Sequence, residues 1–377
     1  MSFLDGNKFA DYKMLDQKVC QLASATEINI LHHINPLNAG EEKKRFFAMV
    51  EKGEEYNPRF SYASRNPLYS YFSISPTFET YKKELHELLD ELGRDSLGLI
   101  FEKKILDLFE RMELIRSIAT PNFSNNSEEY YGKVGKKLLQ FSKELLEKKV
   151  KNGGEKITFL KAKSLIESFL KKKNLSYKVV LRESGGSKFS VNIRTKEIFI
   201  DKNLQFTDLM VKRLIAHEIE GHAYRYENGS LQPYSVFARG LSKESLETDE
   251  GLAIMVEQKE KLNIDAHLRE YAGRVFAISV ASKKNFFETF NILKNYFSQE
   301  EAFTITMRVK RGLHKQSEPG AFTKDAVYLK GFLAVSKFLE EHKIEELYYG
   351  RYSVYDAPLV MDVDGLKKPK YLPDCDF

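Results

Sequence analysis

The sequence predicts a mostly helical α+β fold in which a small β-sheet lies beside a helix that carries two closely spaced histidines. Three observations predict it. Apolar residues recur at helical spacing along most of the chain, short β-rich runs are confined to residues 177–200, and the histidine-bearing helix follows those runs directly. With 42% hydrophobic residues in 377, the chain has ample material for a core and is long enough for one large or two ordinary domains.

In chain order, residues 1–150 read as mostly helical, including Lys82 to Leu92 and Leu99 to Ile118. Polar and proline-bearing breaks fall at Asn57-Pro58, Asn66-Pro67 and from Pro121 to Ser127. The lysine-dense stretch from Lys133 to Lys173 interleaves Lys136-Lys137, Lys148-Lys149 and Lys171-Lys172-Lys173 with leucines, the pattern of two amphipathic helices with wet basic faces. Lys151-Asn152-Gly153-Gly154 reads as a linker, which divides the chain into regions 1–150 and 151–377. Strands are expected at Tyr177 to Arg182, Ser190 to Ile193 and Glu197 to Ile200, separated by Gly185-Gly186 and by a polar turn at Arg194-Thr195-Lys196. Later segments, Asp265 to Val280, Phe286 to Phe297 and Asp325 to His342, again read as helices.

The run His217-Glu218-Ile219-Glu220-Gly221-His222 carries the chemistry. Neutral imidazole nitrogen is a good zinc ligand, and a carboxylate between two such ligands can take a proton from a water that the metal has acidified. The spacing is unusual, because histidines at i and i+5 stand about 140° apart on an undistorted helix of 3.6 residues per turn. A π-type bulge would return both to one face, and Gly221 fits such an irregularity. Thr207 or Asp208 supplies an N-cap, Val211, Ile215 and Ile219 form the inward stripe, and Gly229 marks the end. The neighbouring strands give a sheet edge that could align an extended peptide by main-chain hydrogen bonds. Catalytic zinc usually takes three protein ligands, and the best candidate for the third lies downstream in Glu247-Thr248-Asp249-Glu250-Gly251-Leu252-Ala253, where a second helix is expected to begin.

Taken together, His217 to His222 followed by Glu250-Gly251-Leu252-Ala253 resembles the QEGLA-motif family. Its bacterial members are called flavohaemoglobin expression-modulating proteins, and its animal relatives include the microtubule-associated tyrosine carboxypeptidases. Ile34-Asn35-Pro36-Leu37-Asn38, Glu41 to Phe46, Tyr56-Asn57-Pro58-Arg59-Phe60, Gly320 to Asp325 and Tyr328-Leu329 agree with it, so the likeness covers roughly residues 30–335. The resemblance implies a zincin-like metallopeptidase with Zn²⁺ as cofactor, in which His217, His222 and Glu250 bind the metal and Glu218 is the catalytic glutamate. Asp249 stands where the family name records glutamine, and this second carboxylate could bind the metal in place of Glu250 or orient it. Because the likeness begins near Ile34, region 1–150 is expected to pack on a catalytic region 151–377.

The animal relatives remove a C-terminal tyrosine, which implies a carboxypeptidase acting on a peptide or protein tail. Such an enzyme needs a cation for the terminal carboxylate. Arg308 and Arg311 are the first candidates, followed by Lys324, and Tyr328 could donate to the oxyanion formed during attack. His314 reads as simply exposed.

A net charge of +5, from 59 basic and 54 acidic residues, permits attraction to acidic tails but does not mark a nucleic-acid binder. The two cysteines, Cys20 and Cys375, lie at opposite ends and form no disulfide framework. Neither a signal peptide nor an 18-residue apolar run is evident, so a cytoplasmic address without membrane contact is expected. A zinc endopeptidase and a non-catalytic regulator that keeps the fold are the alternatives; the intact set His217, Glu218, His222 and Glu250 argues against the latter.

Overall fold

A computed structural model describes residues 11–26, 30–63, 71–148, 154–182, 189–201, 204–260, 262 and 265–374. The expected features Asn66-Pro67, Lys151 to Gly153, Gly185-Gly186 and Cys375 lie outside them. The helices in chain order are α1 Tyr12–Thr26, α2 Ile30–Ile34, α3 Ala39–Glu51, α4 Tyr71–Leu89, α5 Ser96–Arg116, α6 Phe123–Tyr131, α7 Lys136–Glu147 and α8 Phe159–Lys172. They continue with α9 Asp208–Leu214, α10 Tyr224–Ser230, α11 Glu244–Lys259, α12 Asp265–Ala281, α13 Phe286–Leu293, α14 Gln299–Lys310, α15 Val327–Phe338 and α16 Ala357–Met361. The strands are β1 Lys156–Ile157, β2 Lys178–Arg182, β3 Phe189–Asn192, β4 Glu197–Asp201 and β5 Phe206–Thr207. The mostly helical α+β class is therefore present. Among the described residues no helix is long and apolar enough to cross a membrane.

The chain forms two compact units, and both are discontinuous in sequence. One comprises residues 1–148 and 267–329, the other 149–266 and 330–377. A single boundary near 150 does not anticipate this division, because the contacts that pull 267–329 toward the first segment come from residues remote in sequence. Phe46 on α3 is fully buried against Phe286, Phe290 and Phe303, with ring centroids 5.3, 4.8 and 5.2 Å away. Asn57 accepts from the Phe287 backbone N–H at 3.0 Å, and Asn35 accepts from Arg311 at 2.8 Å. Glu42, also buried, accepts from the Tyr56 hydroxyl and the Arg59 N–H, both at 2.7 Å. The segments around Asn35, Glu42 and Asn57 thus tie this unit together.

In the second unit, β2, β4 and β3 form a sheet in that order, with β2 parallel and β3 antiparallel to β4. Val191 stands opposite Ile198 and Phe189 opposite Ile200, and both isoleucines are fully buried. The turn between β3 and β4 is closed by Asn192, whose side chain accepts from the Arg194 and Thr195 N–H groups at 3.1 and 3.2 Å. β1 and β5 make a separate antiparallel pair, and β5 leads straight into the helical rod that carries the histidines. Thr207 is its N-cap, accepting from the Met210 N–H at 3.2 Å.

Candidate functional site

The rod from Asp208 to Ser230 is α-helical at both ends and a π-helix from Ile215 to Ala223. The wider turn expected from the i, i+5 spacing is present, extended over nine residues. It brings the His217 and His222 rings to one side, with centroids 4.9 Å apart and planes at 84°. The apolar stripe shifts accordingly. Val211, Leu214, Ala216 and Ile219 are buried, while Ile215 is only half-buried.

Small-residue contacts let α11 approach this rod on one side and Gly331 on the other. A Cβ on Gly221 would fall 2.6 Å from the Ala253 Cβ, so the absence of a side chain lets the two helices approach there. On the far side of α11, a Cβ on Gly251 would meet the Gly331 carbonyl carbon at 2.1 Å, and one on Gly331 would meet the Glu247 oxygen at 1.8 Å. The glycine and alanine of Glu250-Gly251-Leu252-Ala253 therefore serve close packing, and that packing aims Glu250 at the histidines.

The result is a three-residue cluster. One oxygen of Glu250 lies 3.5 Å from the His217 Nε2 and 3.7 Å from the His222 Nε2. A ligand atom from each of the three lies within 4.8 Å of the others, the set of N, N and O donors suited to a tetrahedral zinc with one position left over. All three side chains are largely shielded from solvent. Behind His217, the buried Glu257 carboxylate sits 2.7 Å from the Nδ1 and accepts a hydrogen bond from it, so that Nε2 is the ring nitrogen turned toward Glu250. Glu257 is held in turn by the Arg213 Nε–H at 2.7 Å.

Electrostatics points the same way. Burial alone would lower the pKa of His217, but the hydrogen bonds to Glu250 and Glu257 outweigh it and lift the value to about 10. Burial pushes Glu257 up, yet His217 and Arg213 bring it down to about 2. Burial depresses His222, with His217 adding to the effect against Glu250. Carboxylates that hold a proton on a buried imidazole define a place that favours positive charge, and a divalent cation fits that demand. The last member, Glu218, sits in the same π-helix, and its Oε2 accepts from the Val191 N–H of edge strand β3 at 3.2 Å.

Comparison with known proteins fits this geometry. The family model described as microtubule-associated tyrosine carboxypeptidase matches residues 44–375. The chain belongs to the microtubule-associated tyrosine carboxypeptidase family. It is 25% identical over 367 residues to the Mus musculus protein named putative tyrosine carboxypeptidase MATCAP2, covering 93% of this chain and 60% of that protein. It is 22% identical over 361 residues to microtubule-associated tyrosine carboxypeptidase 1 of Rattus norvegicus, covering 91% and 65%. The chain thus spans less than two thirds of the length of either relative.

Within this family member, the other residues singled out from sequence stand as follows. Asp249 is not in the three-residue cluster. Its carboxylate is shared by the fully buried Arg225 and by Arg351, whose Nε and Nη2 reach one oxygen at 3.1 and 2.6 Å. Burial raises its pKa, but Arg351 and Arg225 outweigh burial and lower it. Arg308, Arg311, Lys324 and Tyr328 belong to the other compact unit. There Asp325 takes the Arg308 fork at 2.7 and 3.0 Å, Arg311 donates to Asn35, and Tyr328 stacks on Tyr271 at 4.5 Å with the Lys324 Nζ 5.9 Å from its ring. An Arg308 fork closed on a carboxylate is not open to a second one in the same geometry. His314 is exposed.

Glu257 and Arg213 are the residues that sequence reasoning did not identify. Helical spacing carried a trace of both, since Glu257 is two turns beyond Glu250 and Arg213 is four residues before His217.

Proposed function

We propose that this protein is a zinc-dependent metallocarboxypeptidase that removes a C-terminal residue, tyrosine first among candidates, from a peptide or protein tail. The observation that carries the proposal is the convergence of His217, His222 and Glu250 in one shielded cluster, with Glu257 fixing the His217 tautomer and Glu218 on the same π-helix. Membership of a family whose named relatives are tyrosine carboxypeptidases supports the reaction class.

In this reading His217, His222 and Glu250 hold Zn²⁺, which when bound acidifies water and polarises a carbonyl. Glu218 takes the proton of the attacking water and passes it to the leaving amine. The Val191 N–H holds the Glu218 carboxylate in place beforehand, which limits the rearrangement needed at the moment of attack. Glu257 keeps the His217 proton on Nδ1, and Arg213 keeps Glu257 ionised. Edge strand β3 gives an extended substrate a main chain to align against.

The test is mass spectrometry of peptides with different C-terminal residues, incubated with the wild type and with Glu218→Gln. Loss of a single terminal residue that is abolished in the variant supports the proposal. Internal cleavage would move the protein to the endopeptidases, and no cleavage of any peptide would reject the hydrolase reading.

A further inference from the structure

The π-helix has a weak point at its C-terminal end. Its last wide bond runs from the Tyr224 N–H to the Ile219 carbonyl, and α10 then resumes the α pattern. Passing from i→i−5 to i→i−4 bonding skips one carbonyl, here that of Glu220, two residues before His222. A buried carbonyl without a donor is unfavourable. The Tyr348 hydroxyl supplies the donor at 2.9 Å, from a side chain that is itself fully buried. Without that hydroxyl, Glu220 would have to regain a partner inside the helix. Contraction to the α pattern, with Tyr224 as donor, would carry His217 and His222 back toward the roughly 140° separation of an undistorted helix.

Tyr348 belongs to a short segment, residues 347–352, that also grips α11. Arg225, three residues past His222 and fully buried, donates through Nε to the Leu347 carbonyl at 2.8 Å and through Nη2 to the Tyr352 carbonyl at 2.5 Å. Its Nη1 donates to Asp249, the neighbour of Glu250. Arg351 closes its fork on the other oxygen of Asp249, and just beyond the segment the Val354 N–H reaches the Thr248 hydroxyl at 3.0 Å. The segment is fixed from behind as well. The Arg351 N–H donates to the Phe237 carbonyl at 2.7 Å, and a Cβ on Gly350 would fall 2.6 Å from that same oxygen. One stretch of chain is therefore bonded to the turn that carries His222 and to the residue beside Glu250, two members of the cluster that come from different helices.

We propose that residues 347–352 are the positioning element of the proposed metal site, with the Tyr348 hydroxyl holding the π-helix in the register that sets His222 beside His217 and Glu250. Arg225 and Arg351 carry the same constraint to α11 through Asp249. Tyr348 acts through a main-chain carbonyl, as a positioning residue and not a catalytic one. The inference rests on the zinc reading for what is positioned.

Two readouts on the full-length protein test it: zinc affinity by competition with a chelator, and amide hydrogen exchange of residues 215–224 in the metal-free chain. Tyr348→Phe deletes one hydroxyl and keeps the ring. It is expected to weaken zinc binding about tenfold and to speed exchange in residues 215–224 while exchange in α8 is unchanged. Tyr352→Phe is the control. It deletes the hydroxyl of another fully buried tyrosine in the same segment, one that donates to the Glu346 carbonyl, and is expected to leave both readouts at wild-type values. Wild-type zinc affinity in Tyr348→Phe, or an equal loss in Tyr352→Phe, would overturn the inference, because a general loss of stability treats the two tyrosines alike. If Tyr348→Phe does not fold, Arg351→Gln, at a partly exposed position, takes its place: weaker zinc binding supports the inference and unchanged affinity overturns it. The zinc reading can fail separately. A wild type that takes up no zinc rejects that reading, and exchange then decides the positioning claim by itself: acceleration confined to residues 215–224 upholds it, and unchanged exchange removes it.

Discussion

Two buried carboxylate centres in this chain show opposite uses of charge. In the unit of residues 1–148 and 267–329, Asp325 is clasped by the Arg308 fork, with Arg274 at 3.9 Å, and the centre is closed on itself. In the other unit, Glu257 is also clasped by an arginine, but its second oxygen turns to His217, and the charge is relayed to a nitrogen that faces Glu250 and His222. Asp325 neutralises, whereas Glu257 orients. A buried ion pair by itself therefore does not identify a functional site; the proposed site differs in that the charge is directed at a cluster of donor atoms.

The comparison is broken most severely by removing the group that has no counterpart at Asp325. Glu218→Gln is expected to lower turnover by about 10²–10⁴-fold with metal retained, as read by steady-state kinetics beside elemental analysis. Next, Asp325→Asn leaves Arg308 and Arg274 facing a neutral group, and a loss of about 3–5 kcal/mol is expected in denaturant unfolding. Metal content of the folded fraction should be unchanged, and a loss of metal would show that the two centres are not separable. Gly331→Ala places a methyl against the Glu247 carbonyl and is expected to cost about 1–3 kcal/mol in the same assay. A neutral outcome would show that α11 and α15 can move apart freely.

Glu257→Gln sharpens the comparison, because it keeps the shape and removes the relayed charge. Zinc affinity measured by competition with a chelator should fall about 10–100-fold, with little change in unfolding midpoint. An unchanged affinity would make Glu257 a mere structural partner of Arg213.

The smallest expected effect is on pH. Burial raises the Asp325 carboxyl, but Arg308 and Arg274 hold it well below the usual carboxylate range. Its folded value lies under its unfolded one, so its contribution to stability is complete above about pH 4 and is lost as the pH falls through the folded value. Unfolding midpoints followed from pH 5 downward should show an acid limb that Asp325→Asn flattens; an identical limb in the variant would assign acid lability elsewhere.

What the sequence made legible follows the same division. Helical period located α5, α12 and the start of α13 to within a few residues, and alternation located β2, β3 and β4, because these signals are local. The spacing of His217 and His222 announced the π-helix, since no other helical turn brings i and i+5 to one side. The discontinuous units were not legible. Period says which face of a helix is apolar but not that Phe46 meets Phe290, or that Asn35 takes Arg311. Arg308 looked available for the same reason, because its partner Asp325 lies across a turn that carries no periodic signal.

The central claim is that His217, His222 and Glu250 hold zinc, and its most direct test is the metal content of the purified chain beside that of His222→Ala, by elemental analysis of folded protein. About one zinc per chain, falling to a small fraction in the variant, is the predicted result. A wild type purified without zinc that fails to take it up from buffer, or a variant that keeps the full complement, would contradict the account.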